Sequence, residues 1–189
     1  MLAGGKSRRM GGNDKGLLPF GNGLLVGHVI DAIRPQVGAV LISANRNHEA
    51  YRDFGYPVIS DPLDDFQGPL AGFLAGLENM RTDYLLTLPC DGPFVLPDLA
   101  QRLVEGLVAA DADIAVAHDG KRLQPVYALL SAKTLGGLRH ALEHGERKID
   151  RWYPQHNWIT VDFSDAPEQF SNINTPDDYA NTREAGFRS

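Results

Sequence analysis

Short apolar runs alternate along this chain with segments whose apolar residues recur every three or four positions. The first pattern predicts strands, the second helices buried on one side. Leu25, Val29, Ile30 and Ile33 fall on one face of a helix that Pro35 ends. Residues 37–44 read as a strand, 45–53 as a short polar helix or turn, and 56–60 as a second strand that delivers Asp61 at its carboxyl end. Gly68-Pro69-Leu70 opens a helix to about Met80, with Leu70, Phe73, Leu74 and Leu77 inward and the proline in the first turn. Residues 83–88 form a near-continuous apolar run, the pattern of a buried parallel strand, and lead straight into Pro89-Cys90-Asp91-Gly92-Pro93.

Further along, 96–109 reads as a helix started by Pro97-Asp98, followed by strands at 113–117 and 125–130. The Asp119-Gly120 loop between those strands is too short for a helical crossover, so the two are antiparallel if they pair directly. A helix over 132–144 stops at Gly145, a helical turn spans 148–153, and 158–163 is a strand. Thr175-Pro176-Asp177-Asp178 caps a last helix reaching about Glu184. Strands alternating with helices predict one α/β domain over 1–189: a Rossmann-like three-layer sandwich with a mostly parallel mixed sheet and helices on both faces.

Composition narrows the class. Hydrophobic residues make up 43% and charged residues 22%, ordinary for a globular protein, and 189 residues suffice for a full core without disulfide or metal staples. A net charge of −6 argues against nucleic acid as a general partner. The single Cys90 excludes an internal disulfide and suits a reducing compartment. With no run long enough for a membrane span and no signal-peptide pattern at the start, the expectation is a cytoplasmic protein without a membrane partner.

The chemistry concentrates in the first fifteen residues. Gly4, Gly5, Gly11 and Gly12 frame cations at Lys6, Arg8 and Arg9, with Lys15 following. Glycines let consecutive amides turn toward one anion, and cations then neutralise its remaining charge, so the stretch reads as a loop around a polyphosphate. A frayed basic tail is the alternative. Gly5-Lys6-Ser7 is not a P-loop: its first glycine would precede Met1, and Gly11 and Gly12 would each cost the following helix about 1 kcal/mol.

Leu2-Ala3-Gly4-Gly5-Lys6-Ser7-Arg8-Arg9-Met10-Gly11-Gly12-Asn13-Asp14-Lys15 resembles the signature L-A-G-G-x-S-x-R-M-G-x-D-K of the molybdenum cofactor guanylyltransferases, with one extra glycine. Gly68-Pro69-Leu70-Ala71-Gly72, Pro89-Cys90-Asp91-Gly92-Pro93, Gln124-Pro125-Val126-Tyr127-Ala128 and Asn172-Ile173-Asn174-Thr175-Pro176 extend the likeness over most of the chain. The resemblance implies transfer of GMP from Mg²⁺-GTP to molybdopterin or its molybdenum form, with release of pyrophosphate. It also implies other cofactor-biosynthesis proteins and molybdoenzymes as partners. Residues 1–95 would mainly bind nucleotide and 96–189 the acceptor. Two other readings stay open: a cytidylyl- or sugar-phosphate nucleotidyltransferase of the same fold, and a nucleotide-binding protein without turnover.

Each implied site residue has a plainer alternative. Asp91, fenced by two prolines at a strand end, would carry Mg²⁺, which favours one or two carboxylates with phosphate oxygens; otherwise it makes a turn. Lys15 and Arg9 would act on the phosphates in catalysis, although Arg8 could stand in for Arg9 and Lys15 could be an ordinary solvated lysine. Leu2, Ala3, Gly4, Gly5, Lys15, Asn45, Asp61 and Asp91 would bind nucleotide, Asp61 through guanine or ribose unless it merely turns the chain at Pro62. Ser43 stands where an asparagine near the base is expected, and Asn45 lies two residues on, on the same face. Gly4 marks the point where related cytidylyltransferases resemble L-A-A-G; glycine there leaves room for a purine.

Asn172 and Asn174 would bind the acceptor, unless Asn174 or Thr175 simply caps the last helix. The Gly68-Pro69 helix start could face an anion or be a cap alone. The 124–128 stretch would line the second-substrate cleft or be a core strand. His140 and His144, spaced i and i+4, lack a third ligand and read as a solvated helix face; Cys90 reads as a small buried residue. Family members enter the glycine loop from several apolar residues, whereas only Leu2 and Ala3 stand between Met1 and Gly4, so part of the first strand is expected upstream.

Overall fold

Residues 1–3 lie between two groups of strands and join them. In the computed structural model, which describes residues 1–3, 14–61, 68–173, 175 and 178–180, Leu2 bridges in parallel to Ser43 on one side and Pro89 on the other. Its amide donates to Leu88 O at 2.9 Å and its carbonyl accepts from Cys90 N at 3.0 Å, while Ala3 N donates to Ser43 O at 2.7 Å. Backbone groups between two strands must find such partners, and these three residues do.

The elements in chain order are β1 (Pro19–Phe20), β2 (Gly23–Leu24), α1 (Leu25–Ile33), β3 (Ile42–Ser43), α2 (His48–Arg52), β4 (Val58–Ile59), α3 (Pro69–Asn79), β5 (Tyr84–Thr87), α4 (Leu99–Ala109), β6 (Ile114–His118), β7 (Leu123–Ser131), α5 (Leu135–Glu143), α6 (Ile149–Trp152) and β8 (Trp158–Asp162). Strands β3 and β4 pair in parallel, β7 lies antiparallel between β5 and β6, and β6 pairs in parallel with β8. Through Leu2 and Pro89 the order becomes β4, β3, residues 1–3, β5, β7, β6, β8. This is a mixed α/β arrangement. The antiparallel pairing expected for 113–117 and 125–130 is that of β6 with β7.

Three expectations shift. The apolar run at 83–88 suggested a buried parallel strand, yet β5 pairs antiparallel with β7 and Tyr84 is 40% exposed. Apolar content reports burial and carries no information on strand direction. The strands expected over 37–44 and 56–60 contract to the two-residue ladders of β3 and β4, because Ile42 and Ser43 alone find register partners in Val58 and Ile59. The β1–β2 hairpin was not foreseen; its Gly21 has φ +56°, as a tight two-residue turn requires.

Alternate residues of β6 feed two cores, as strand geometry dictates. Ala115 and Ala117 pack with Val29, Ile30 and Ile33 of α1 and Leu99, Leu103 and Leu107 of α4. Ile114 and Val116 pack with Leu70, Phe73, Leu74 and Leu77 of α3 and with Leu138 and Trp152. Gly106 lets α4 approach β8, for a Cβ there would sit 2.7 Å from Val161. Gly145, at φ +84°, follows the end of α5 as expected. Thr175 and Asp178 exchange side-chain to backbone bonds at 2.9 and 3.1 Å, and residues 178–180 are helical. Among the described residues no helix is long and apolar enough to cross a membrane.

Candidate active site

Ligands in open α/β sheets collect beyond the carboxyl ends of parallel strands, and here the candidate residues follow residues 1–3, β3, β4 and β5. The Pro89–Pro93 turn after β5 holds Asp91 just beyond the sheet. Lys15, in a short 3₁₀ turn (Lys15–Leu17), reaches across to it, Nζ to Oδ2 at 2.9 Å. Their side chains are 16% and 15% exposed, so the pair is shielded yet open on one side. Thus the structure brings together two of the three predicted catalytic residues, 76 positions apart. Arg9, Gly4 and Gly5 lie outside the described residues.

Sequence reasoning gave no role to Asp14, which fixes the start of that turn. Its buried carboxylate accepts from Tyr51 Oη at 2.7 Å and Asn47 Nδ2 at 3.0 Å, with Arg46 Nε at 3.6 Å. Two neutral donors bond to Asp14, and the Arg46 guanidinium adds a charge within ion-pair distance. Gly16 then packs where a Cβ would lie 2.7 Å from Tyr51 Oη and 3.1 Å from Cys90 Sγ. The signals available were Asp14 itself in the signature and the polar Asn45-Arg46-Asn47 run. Beside Asp14, a cavity of about 740 Å³ extends along Leu17, Leu18 and the start of α2.

Asp61 closes the other side. Asn45 and Asp61 pair reciprocally: Asn45 Nδ2 donates to Oδ2 at 2.6 Å, and the Asp61 amide donates to Asn45 Oδ1 at 2.9 Å. Ser43 Oγ donates to Asp61 Oδ1 at 3.1 Å. The same-face expectation for residues 43 and 45 therefore holds, and both orient one carboxylate. Gly72 in α3 borders this group: a Cβ there would run into Leu2 and come within 3.2 Å of Ser43 Oγ and 3.6 Å of Asp61 Oδ1. The G-P-L-A-G segment thus starts α3 beside the candidate nucleotide residues, with Gly68 at φ +83°.

The acceptor-side candidates meet the same turn. Ile173 N donates to Asp91 O at 2.8 Å, which docks the Asn172 segment on the loop bearing the carboxylate. Asn174 lies outside the described residues. At Gly92 a Cβ would run into the Tyr127 hydroxyl and lie 3.0 Å from Asn172 Oδ1. Gln124, Val126, Tyr127 and Asn172 help line a separate cavity of about 300 Å³, so the 124–128 strand borders a cleft as well as the core. Gln124 is held by its bond to Asp119 Oδ2 at 2.7 Å. Burial, then the charges of Asp91 and Asp14, push the Cys90 thiol far up, which leaves it a packing residue. His140 and His144 lie on an exposed helix face, as expected, with their rings tilted and centroids 4.0 Å apart.

Among the described residues no three His, Cys, Asp or Glu side chains gather as a metal site. A lone, partly open carboxylate beside a lysine fits magnesium that takes most of its ligands from phosphates and water. A glycine-rich cationic stretch in the sequence, with a lysine and one carboxylate paired at strand ends, suits the class of a phosphate-transferring nucleotide enzyme.

Comparison with known proteins agrees. Residues 1–158 match the MobA-like NTP transferase domain. A molybdenum cofactor guanylyltransferase of Shewanella loihica is 48% identical over 185 residues, 98% of this chain and 94% of the relative. One from Shewanella piezotolerans is also 48% identical, over 98% of this chain and 91% of the relative. The solved structure of molybdopterin-guanine dinucleotide biosynthesis protein A from Archaeoglobus fulgidus shares the fold, with a TM-score of 0.84 at 22% identity, covering 100% of this chain and 97% of that one. The chain belongs to the MobA-like NTP transferase family, among the molybdenum cofactor guanylyltransferases.

Proposed function

We propose that this protein transfers GMP from GTP to a molybdopterin cofactor, forming the guanine dinucleotide and releasing pyrophosphate. The observation that carries the reading is the Lys15–Asp91 pair at 2.9 Å, set between residues 1–3 and the end of β5 and flanked by Asp61 in its Ser43–Asn45 frame. A phosphate oxygen of the acceptor attacks the α-phosphorus of GTP in line, the new P–O bond forms, and the bond to the β-phosphate oxygen breaks. No covalent enzyme intermediate is needed, so the protein contributes positioning and charge stabilisation.

In this reading the backbone of Leu2, Ala3, Gly4 and Gly5 lies against the nucleotide. Asp61, oriented by Ser43 and Asn45, accepts from ribose hydroxyls or guanine N–H groups. Lys15 leaves Asp91 and, with Arg9, follows the negative charge that builds on departing pyrophosphate. Asp91 would hold Mg²⁺, which would supply charge neutralisation at the reacting phosphate. Asn172 and Asn174 bind the acceptor, so 1–95 serve mainly the nucleotide and 96–189 mainly the acceptor. The two cores that β6 feeds support the finer architecture, a three-layer sandwich with helices on both faces. The working site is cytoplasmic, in exchange with other cofactor-biosynthesis proteins and molybdoenzymes.

The test is pyrophosphate release with the molybdopterin acceptor and each nucleotide in turn. Release with GTP and little with CTP is expected; equal release with CTP would turn the assignment to a cytidylyltransferase.

A further inference from the structure

The Tyr127 hydroxyl is buried and has no hydrogen-bond partner among the described residues. A buried hydroxyl without a partner is costly, and native chains rarely keep one without a use for it. Everything else about Tyr127 is well packed: the residue is 2% exposed, and its ring meets Phe170 edge-on at 5.0 Å. A phenylalanine would make the same ring contacts, so packing does not explain the oxygen. The hydroxyl sits under the Asp91–Gly92 turn, where glycine alone leaves it room. Tyr127 is one of the residues around the 300 Å³ cavity, with Gln124, Pro125, Val126 and Asn172, and its oxygen is sealed just behind that wall. A phenol is ordinarily protonated at neutral pH, so the group can donate a hydrogen bond.

We propose that Tyr127 is a specificity residue of the acceptor site, its hydroxyl donating to an oxygen on the heterocyclic part of the acceptor in this cavity. The inference rests on the functional reading above and extends it by one residue. A ring fits better than a phosphate: the interior wall is neutral, with Leu123, Pro125 and Val126 beside the Tyr127, Asn172 and Gln124 side chains. Its one cation, Arg122, has a side chain 76% exposed. An acceptor ring seated there would lie next to the Asp91 turn, within reach of a reaction centred on that carboxylate.

Tyr127→Phe in the full chain tests this. Without ligand the variant should melt about 2–4 °C higher, since it loses an unsatisfied hydroxyl and keeps the ring. Stabilisation by Mg²⁺-GTP should be unchanged. A free pterin should stabilise the wild type and stabilise the variant clearly less, and the acceptor KM should rise about tenfold with little change in kcat. An unchanged acceptor KM, or a pterin that stabilises both proteins equally or neither, would overturn the proposal. Equal loss of GTP stabilisation would show instead that the hydroxyl supports the Asp91 turn. Failure of wild-type GTP binding, with pterin binding intact, would count against the guanylyltransferase reading and leave the pterin contact standing.

Discussion

At the scale of single residues, Lys15 and Asp91 form an ion pair but are proposed to have separate duties in transfer. The pair is partly open, so water and counter-ions limit what it contributes to folding. Asp91→Asn should therefore leave the melting temperature within a few degrees and lower the transfer rate by about 10²–10³, the usual cost of losing one electrostatic stabiliser. Steady-state pyrophosphate release with a melting curve checks both halves. A variant with near-normal turnover would remove Asp91 from the metal role. Lys15→Ala should also slow transfer, while leaving the ratio of GTP to CTP turnover unchanged, because a phosphate contact does not read the base. A changed ratio would mean that Lys15 lies near the base instead.

At the scale of elements, glycines set how closely helices approach strands, and two of them make opposite predictions. Replacing helical glycine by alanine gains about 1 kcal/mol of propensity. At Gly76 in α3 the new methyl would lie 2.8 Å from a terminal Leu85 methyl that can rotate away, so Gly76→Ala should be near neutral in melting temperature. At Gly106 in α4 it would lie 2.7 Å from Val161 Cγ2 and 3.3 Å from Ile159 Cδ1. The stiff, branched valine on β8 cannot rotate aside, and overpacking costs about 1–3 kcal/mol. Gly106→Ala should thus lower the melting temperature by several degrees. Thermal melts of the two variants side by side decide it, and equal behaviour would refute the packing argument.

At the scale of the whole molecule, the candidate nucleotide site draws on residues 1–3, 14–15, 43–45, 61 and 91, so binding should clamp segments far apart in sequence. Mg²⁺-GTP at ~100 times its dissociation constant should add about 2.7 kcal/mol of stability. For a chain of this length that raises the melting temperature by about 5–10 °C, with CTP and ATP giving clearly less. Comparable stabilisation by all three nucleotides would leave the base unread by this site.

Much of this was determined by sequence alone. Periodicity located the helices because one buried stripe repeats every 3.6 residues whatever the topology: Leu25–Ile33 and Pro69–Asn79 form where that stripe predicts. Glycine and proline marked the Asp91 turn and the start of α3, since their backbone limits are local. Other features were decided by tertiary structure. Strand direction depends on which edge a neighbour offers, so the apolar run of β5 did not reveal its antiparallel partner. The length of β3 depends on partners 16 residues away. Pairing of Lys15 with Asp91, and of Asp14 with Tyr51, joins residues 76 and 37 positions apart. That the Tyr127 hydroxyl is buried under Gly92 without a partner among the described residues was decided by the fold, for hydrogen-bond satisfaction is a property of what surrounds a group in space.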